Sequence, residues 1–207
     1  MALDNYANLK TAIANFLARD DLTSEIDDFI DLTEADFNRR LRIRPMETVD
    51  ASFSIDAATE ALPTGFLKVR SFVLTSPNPD RTLVLMTPFH QAETTGSDSS
   101  GQPRGYSIEG SNFRFSPVPD STYTARLSYY KAFDPISSST ATNHILTNYP
   151  DIYLFGALYF GSTFLRGMDP QTVAQFKGQY EAALQQAEIA DSKDKYNGSP
   201  LVQRTGI

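Results

Sequence analysis

The residues able to do chemistry are few, and their spacing works against it. The two histidines, His90 and His144, lie in polar or loop-like stretches without a second ligand at metal-binding spacing, so both read as surface residues. Six carboxylates, Glu25, Asp27, Asp28, Asp31, Glu34 and Asp36, crowd one short stretch, and their number suggests the acid/base pair of a glycosidase. On a helix, however, Asp27, Asp31 and Glu34 fall opposite Phe29, Ile30 and Phe37, where a solvated face belongs. There is no cysteine, which removes disulfides, thiolate metal sites and thiolate nucleophiles. Glycines occur singly rather than in a phosphate-cradling run, and no serine sits in a nucleophile elbow. The pattern therefore predicts a non-enzyme, with no catalytic residues, no cofactor and no metal. One basic cluster, Arg39, Arg40, Arg42 and Arg44, has two readings: charges that complement a helix C-terminus, or a contact to phosphate or to an acidic patch on a neighbouring subunit.

The elements that would carry these residues follow from periodicity. Tyr6, Leu9, Ile13, Phe16 and Leu17 recur at helical spacing after Asp4 and Asn5, either of which can cap, and this helix ends near Arg19. A second stripe, Ile26, Phe29, Ile30, Thr33, Phe37 and Leu41, predicts a helix to about Arg42, halted by Pro45. From Thr48 the period becomes two. Strands are expected over 51–55, 66–75 and 83–86, punctuated by Pro63-Thr-Gly65 and Pro77-Asn-Pro-Asp80. The stretch from Gly101 to Tyr130 then packs two alternating strands around Gly110-Ser-Asn112, a stop at Pro117 and Pro119, and a third strand whose one face is Tyr123, Ala125, Leu127 and Tyr129. An antiparallel meander with one apolar side is the expectation. Residues 93–102, rich in Ser, Thr and Gly, read as an exposed loop.

Helical character returns at Tyr149, with Asn148 as cap and Pro150 in the first turn. The run Ile152 to Leu165 is apolar on nearly every side yet short of the ~20 residues of a membrane span. Such a helix must be covered all round, either as the hub of the fold or against another subunit. A last helix opens at Asp169-Pro170, carries Val173, Phe176, Tyr180, Ala183, Leu184 and Ala187 on one face, and is expected to fade around Ala190. Residues 191–207 are polar, with isolated apolar anchors, and cannot alone offset their ordering entropy. They read as a frayed end or as an arm that folds on a partner.

The fold class expected is α+β: N- and C-terminal helices form a helical body around an inserted antiparallel β-meander or barrel, with an extended C-terminal arm. The corresponding boundaries are 1–45, 46–133, 134–190 and 191–207. With 207 residues, 41% hydrophobic and 21% charged, the chain can bury a sizeable core. Its net charge of −7 and pI near 4.8 argue against gripping nucleic acid, though an acidic conduit would let DNA slide through. The start Met-Ala-Leu-Asp-Asn-Tyr lacks a basic stretch followed by an apolar core, so no secretory leader is expected, and synthesis is placed in the cytoplasm.

Several segments in collinear order carry a resemblance. They are Asn5-Tyr-Ala-Asn-Leu-Lys through Phe16-Leu-Ala-Arg-Asp-Asp-Leu22, Phe29-Ile-Asp-Leu-Thr-Glu-Ala35, Asn38-Arg-Arg-Leu-Arg42, Leu62-Pro-Thr-Gly-Phe-Leu67, Gly101-Gln-Pro-Arg-Gly-Tyr106, Phe115-Ser-Pro-Val-Pro-Asp120, Leu127-Ser-Tyr-Tyr130 and Tyr149-Pro-Asp-Ile-Tyr-Leu154. Together they resemble the head-to-tail adaptor (connector) proteins of tailed bacteriophages over almost the whole chain. The resemblance implies a structural protein of the virion neck: a homo-oligomeric ring, in that family usually of twelve copies, between the portal protein and a tail or nozzle protein. Double-stranded DNA would pass through it without specific contact, and no membrane would be involved. It also implies that the C-terminal arm reaches the portal, with Tyr196, Leu201, Val202 and Ile207 as its contacts. Arg39, Arg40, Arg42, Tyr153, Phe160 and Phe164 are the candidates for contacts between copies. Two other classes remain open at this point: a small cell-wall-acting hydrolase, and a β-domain binding module of the tail.

Overall fold

The computed structural model describes residues 3–89, 99–165 and 167–196, the side chains of 195 and 196 excepted. The chain divides into two compact units, one drawn from Met1–Pro45 and Phe133–Ile207, the other from Met46–Ala132. It is a mixed α+β protein.

In the helical unit, α1 (Tyr6–Leu17) starts where the Asn5 side chain accepts from the Asn8 N–H at 2.9 Å and stops where Ala18 turns left-handed at φ 51°. Helix α2 (Glu25–Arg40) has no side-chain cap bond, but Glu25, Asp27 and Asp28 occupy its first turn and Arg39 and Arg40 its last, matching the helix dipole at both ends. It ends two residues before the expected Arg42, and a 3-10 turn follows at Arg44–Met46. The return into helix begins earlier than the pattern suggested. A five-residue helix α3 (His144–Asn148) precedes α4 (Pro150–Phe164), and Asn143 rather than Asn148 does the capping, its Oδ1 accepting from the Leu146 N–H at 3.0 Å. Asn148 instead closes α3 by donating to the His144 carbonyl at 2.9 Å.

Helix α4 is the hub. Ile152, Tyr153, Leu154, Gly156, Ala157, Leu158, Gly161 and Ser162 are buried, and α1, α2, α3 and α5 all pack on it. The nearly all-round apolar run is thus covered mostly within its own chain, with Phe164 left exposed at its end. The long α5 (Pro170–Tyr196) supplies Tyr180, Ala183, Leu184 and Ala187 to the core. It does not fade at Ala190. Asp191 is 7% exposed and accepts the Arg44 backbone N–H at 2.7 Å, so its turn of helix is anchored. Residues 191–196 of the expected arm are therefore helical, and 197–207 lie outside the described residues.

The β unit holds two four-stranded sheets. Sheet one has the order β1 (Glu47–Ile55), β8 (Tyr123–Lys131), β3 (Phe66–Leu74), β4 (Arg81–Thr82). Sheet two runs β2 (Thr59–Ala61), β7 (Asn112–Ser116), β6 (Gly105–Glu109), β5 (Val84–Leu85). The β6–β7 hairpin forms as expected, its two-residue turn led by Gly110 at φ 59°. The third strand of the expected meander does not join it. β8 leaves after the Pro117–Pro119 stretch, which lacks ladder donors at both prolines, and pairs antiparallel with β1 and β3, two strands of its own nine-residue length. Nor is the pairing wholly antiparallel, since β5 runs parallel to β6. The short stretch Arg81–Leu85 belongs to both sheets: the Leu83 N–H reaches the Phe72 carbonyl at 2.8 Å, and the next N–H, that of Val84, reaches Arg104 at 3.1 Å. Between the sheets, Phe113 is fully buried and meets the rings of Phe53, Phe66, Phe72, Tyr106 and Phe115 at centroid distances of 5.3 to 6.4 Å.

Candidate functional site

Three of the carboxylates of α2 sit in distinct settings once folded. Glu34, expected on the solvated side, is 6% exposed. Its Oε1 accepts the Ile136 backbone N–H at 2.8 Å and the Tyr153 hydroxyl at 2.7 Å. Tyr153, fully buried, is itself approached by the Asn143 side-chain amide at 2.7 Å, and the same amide donates to the Asp134 carbonyl at 2.9 Å. Asn38 adds a further tie, accepting the Phe133 N–H at 2.9 Å. The connector 133–143 is thereby fastened to α2 and α4 by polar bonds rather than by apolar packing alone. The reason the first expectation failed is visible in the spacing: position 34 is four after Ile30 and three before Phe37, so it shares their stripe.

Burial pushes the Glu34 carboxyl above the ordinary carboxylate range, against the opposing pull of its two donors. A raised folded value means that folding takes up a proton at this site, so its stabilising share is fully present below pH 4.5 and is lost as pH climbs through the raised value. Glu34→Gln keeps an acceptor and removes the charge. Urea midpoints compared from pH 4 to pH 8 should therefore drift against the wild type relative to Glu34→Gln as pH rises; parallel curves would contradict this.

Asp36 belongs to a second cluster. The Tyr180 hydroxyl donates to its Oδ2 at 2.9 Å, and Arg40 reaches the same oxygen at 3.2 Å while pairing with Glu181 of α5. Hydrogen bonding to Glu181 raises the Arg40 guanidinium further above its already high value. Asp27, in the third setting, accepts from the Tyr6 hydroxyl and from Lys10, both at 2.5 Å. Asp28 and Asp31 have no hydrogen bond or ion pair among the described residues.

These positions decide what the sequence-predicted site residues can do. Tyr153 is enclosed by its own chain and is unsuited to a contact between copies. Arg40 is bound to Glu181, and the Arg42 guanidinium donates to the Asn38 and Leu41 carbonyls. Among the described residues, Arg39, with 73% of its side chain exposed, holds a long 3.5 Å pair with Asp36 and a bond to the Ala35 carbonyl. At the end of α4, Phe160 is half-buried and Phe164 is 58% exposed. Tyr196 closes α5, while Leu201, Val202, Ile207 and also His90 lie outside the described residues. His144 stacks on Phe133 at 5.9 Å beside a cleft of about 190 Å³ lined by Arg44, Asp191 and Asp194; burial and then Arg44 lower its pKa. Among the described residues no group of three or more histidines and carboxylates is placed to hold a metal ion, and no helix is long and apolar enough to cross a membrane. The buried carboxylate is engaged by the Ile136 N–H and the Tyr153 hydroxyl and so ties the connector to α2.

Comparison with protein families gives a match to the SU10 adaptor protein model over residues 4–204. No curated protein matches the chain.

Proposed function

The chain belongs to the SU10 adaptor protein family, and from that premise we propose that it is a structural adaptor of a tailed-phage virion, closing as a ring of about twelve copies between portal and tail around the DNA path. The family match over nearly the whole length is the observation that carries this reading. Cyclic closure satisfies every head-to-tail contact by rotation. The net charge of −7 supports a conduit that does not grip its polyanion.

The helical unit forms the ring body in this proposal. Phe160 and Phe164 at the end of α4, together with Arg39 and Arg42, supply contacts between copies; Tyr153 and Arg40 act one step back, by fixing the helices that present them. The β unit is an insertion that offers a surface to the tail, a role supported by the exposure of Val84, Leu85 and Phe89 at 58%, 61% and 73%. Beyond Tyr196, Leu201, Val202 and Ile207 order as an arm on the portal, which the sparse apolar anchors in a polar stretch support.

Mixing the protein with its portal and imaging the product tests the reading. A ring of copies seated on the portal is expected, and truncation after Tyr196 should abolish seating without unfolding the helical unit. A chain that stays monomeric beside an intact portal would overturn the proposal, and undiminished seating of the truncated chain would overturn the arm.

A further inference from the structure

Among the described residues, one face of α2 stays exposed. Asp28, Leu32, Ala35 and Arg39 are all exposed, Leu32 at 50%. At 100° per residue they fall within about 60° of arc, a straight stripe about 16 Å long. Its order is acid, apolar, apolar, base. The midpoint between 28 and 39 is also the midpoint between 32 and 35, so the stripe maps onto itself when a second copy is turned end for end. Asp28 then faces Arg39 of the other copy at both ends, with Leu32 against Ala35 on either side of the centre. A parallel neighbour would instead set Asp28 on Asp28 and Arg39 on Arg39, so the charges select one direction.

We infer that this stripe recognises a second copy of the same chain in antiparallel, two-fold fashion. One helix face against another lies at the small end of specific interfaces, and its ion pairs are exposed. The pairing is therefore weak, reversible and sensitive to salt. A cyclic ring never sets one face against itself. If the ring reading holds, on which this consequence alone rests, the pair must open before assembly, and it covers Arg39 until then.

Sedimentation of the free, full-length protein at high concentration and low salt tests the inference. The wild type should form dimers that dissociate as salt is added. Arg39→Glu and Asp28→Arg should each weaken pairing at least about tenfold, because two attractions become repulsions, with circular dichroism unchanged. A one-to-one mixture of the two variants should pair again, and so should the chain carrying both substitutions. Monomers throughout, dimers indifferent to these reversals, or larger species in place of dimers would each overturn the two-fold pairing. Seating on the portal, measured separately on the wild type, reports on the ring alone, so the two readings fail independently.

Discussion

Glu34→Ala should destabilise the helical unit by about 3 kcal/mol, because it strands two buried donors at once. The Ile136 N–H and the Tyr153 hydroxyl both end on the one oxygen that the substitution removes. The Asn143 amide stays on the Tyr153 hydroxyl, but it is a donor and cannot replace an acceptor. Glu34→Gln is the control. It retains a carbonyl for both donors, so at neutral pH it should differ from the wild type by less than about 1 kcal/mol. Chemical unfolding followed by helical circular dichroism measures both, and equal effects of the two substitutions would show that the carboxylate is not holding the connector.

Gly156→Ala should destabilise by about 2 kcal/mol, although alanine is the better helix former by about 1 kcal/mol. A Cβ at 156 would stand 2.3 Å from Thr33 Cγ2 and 3.0 Å from both Thr33 Oγ1 and a ring carbon of Tyr180. Neither neighbour can give way cheaply. Thr33 is fully buried, and its hydroxyl is bonded to the Phe29 carbonyl at 2.7 Å; the Tyr180 hydroxyl is held by Asp36. Overpacking therefore outweighs propensity. Thr33→Ser removes the offending methyl and keeps the hydroxyl, so it should recover part of the loss when combined with Gly156→Ala. Unchanged or increased stability of Gly156→Ala alone would mean that α2 and α5 draw back from α4 at little cost.

Much of the fold was legible because its signals are local. The stripes Leu9–Ile13–Leu17 and Ile26–Ile30–Phe37 fixed two helices, and Gly110 with its flanking alternation fixed a hairpin. The end of α5 was not legible. A carboxylate at 191 reads as a polar stop until its partner, the backbone of Arg44, is known, and that partner is 147 residues away in sequence. The destination of β8 was hidden for the same reason, since a strand pattern states which face is apolar and not which neighbour it pairs with. Within the candidate site, the resemblance carried the family, while the residue roles depended on burial. Tyr153 and Phe164 look alike in an apolar run, yet one is enclosed and the other stands out.

The junction of the two units has a further consequence. The β unit begins and ends on adjacent antiparallel strands, with Glu47 opposite Tyr130, so the chain departs from the helical sequence at 45 and rejoins it at 133 through neighbouring points. Closely spaced ends of this kind let a module be swapped without re-threading its host. Exchange of that cassette would leave the threading of the helical unit unchanged, because both of its ends leave from one place.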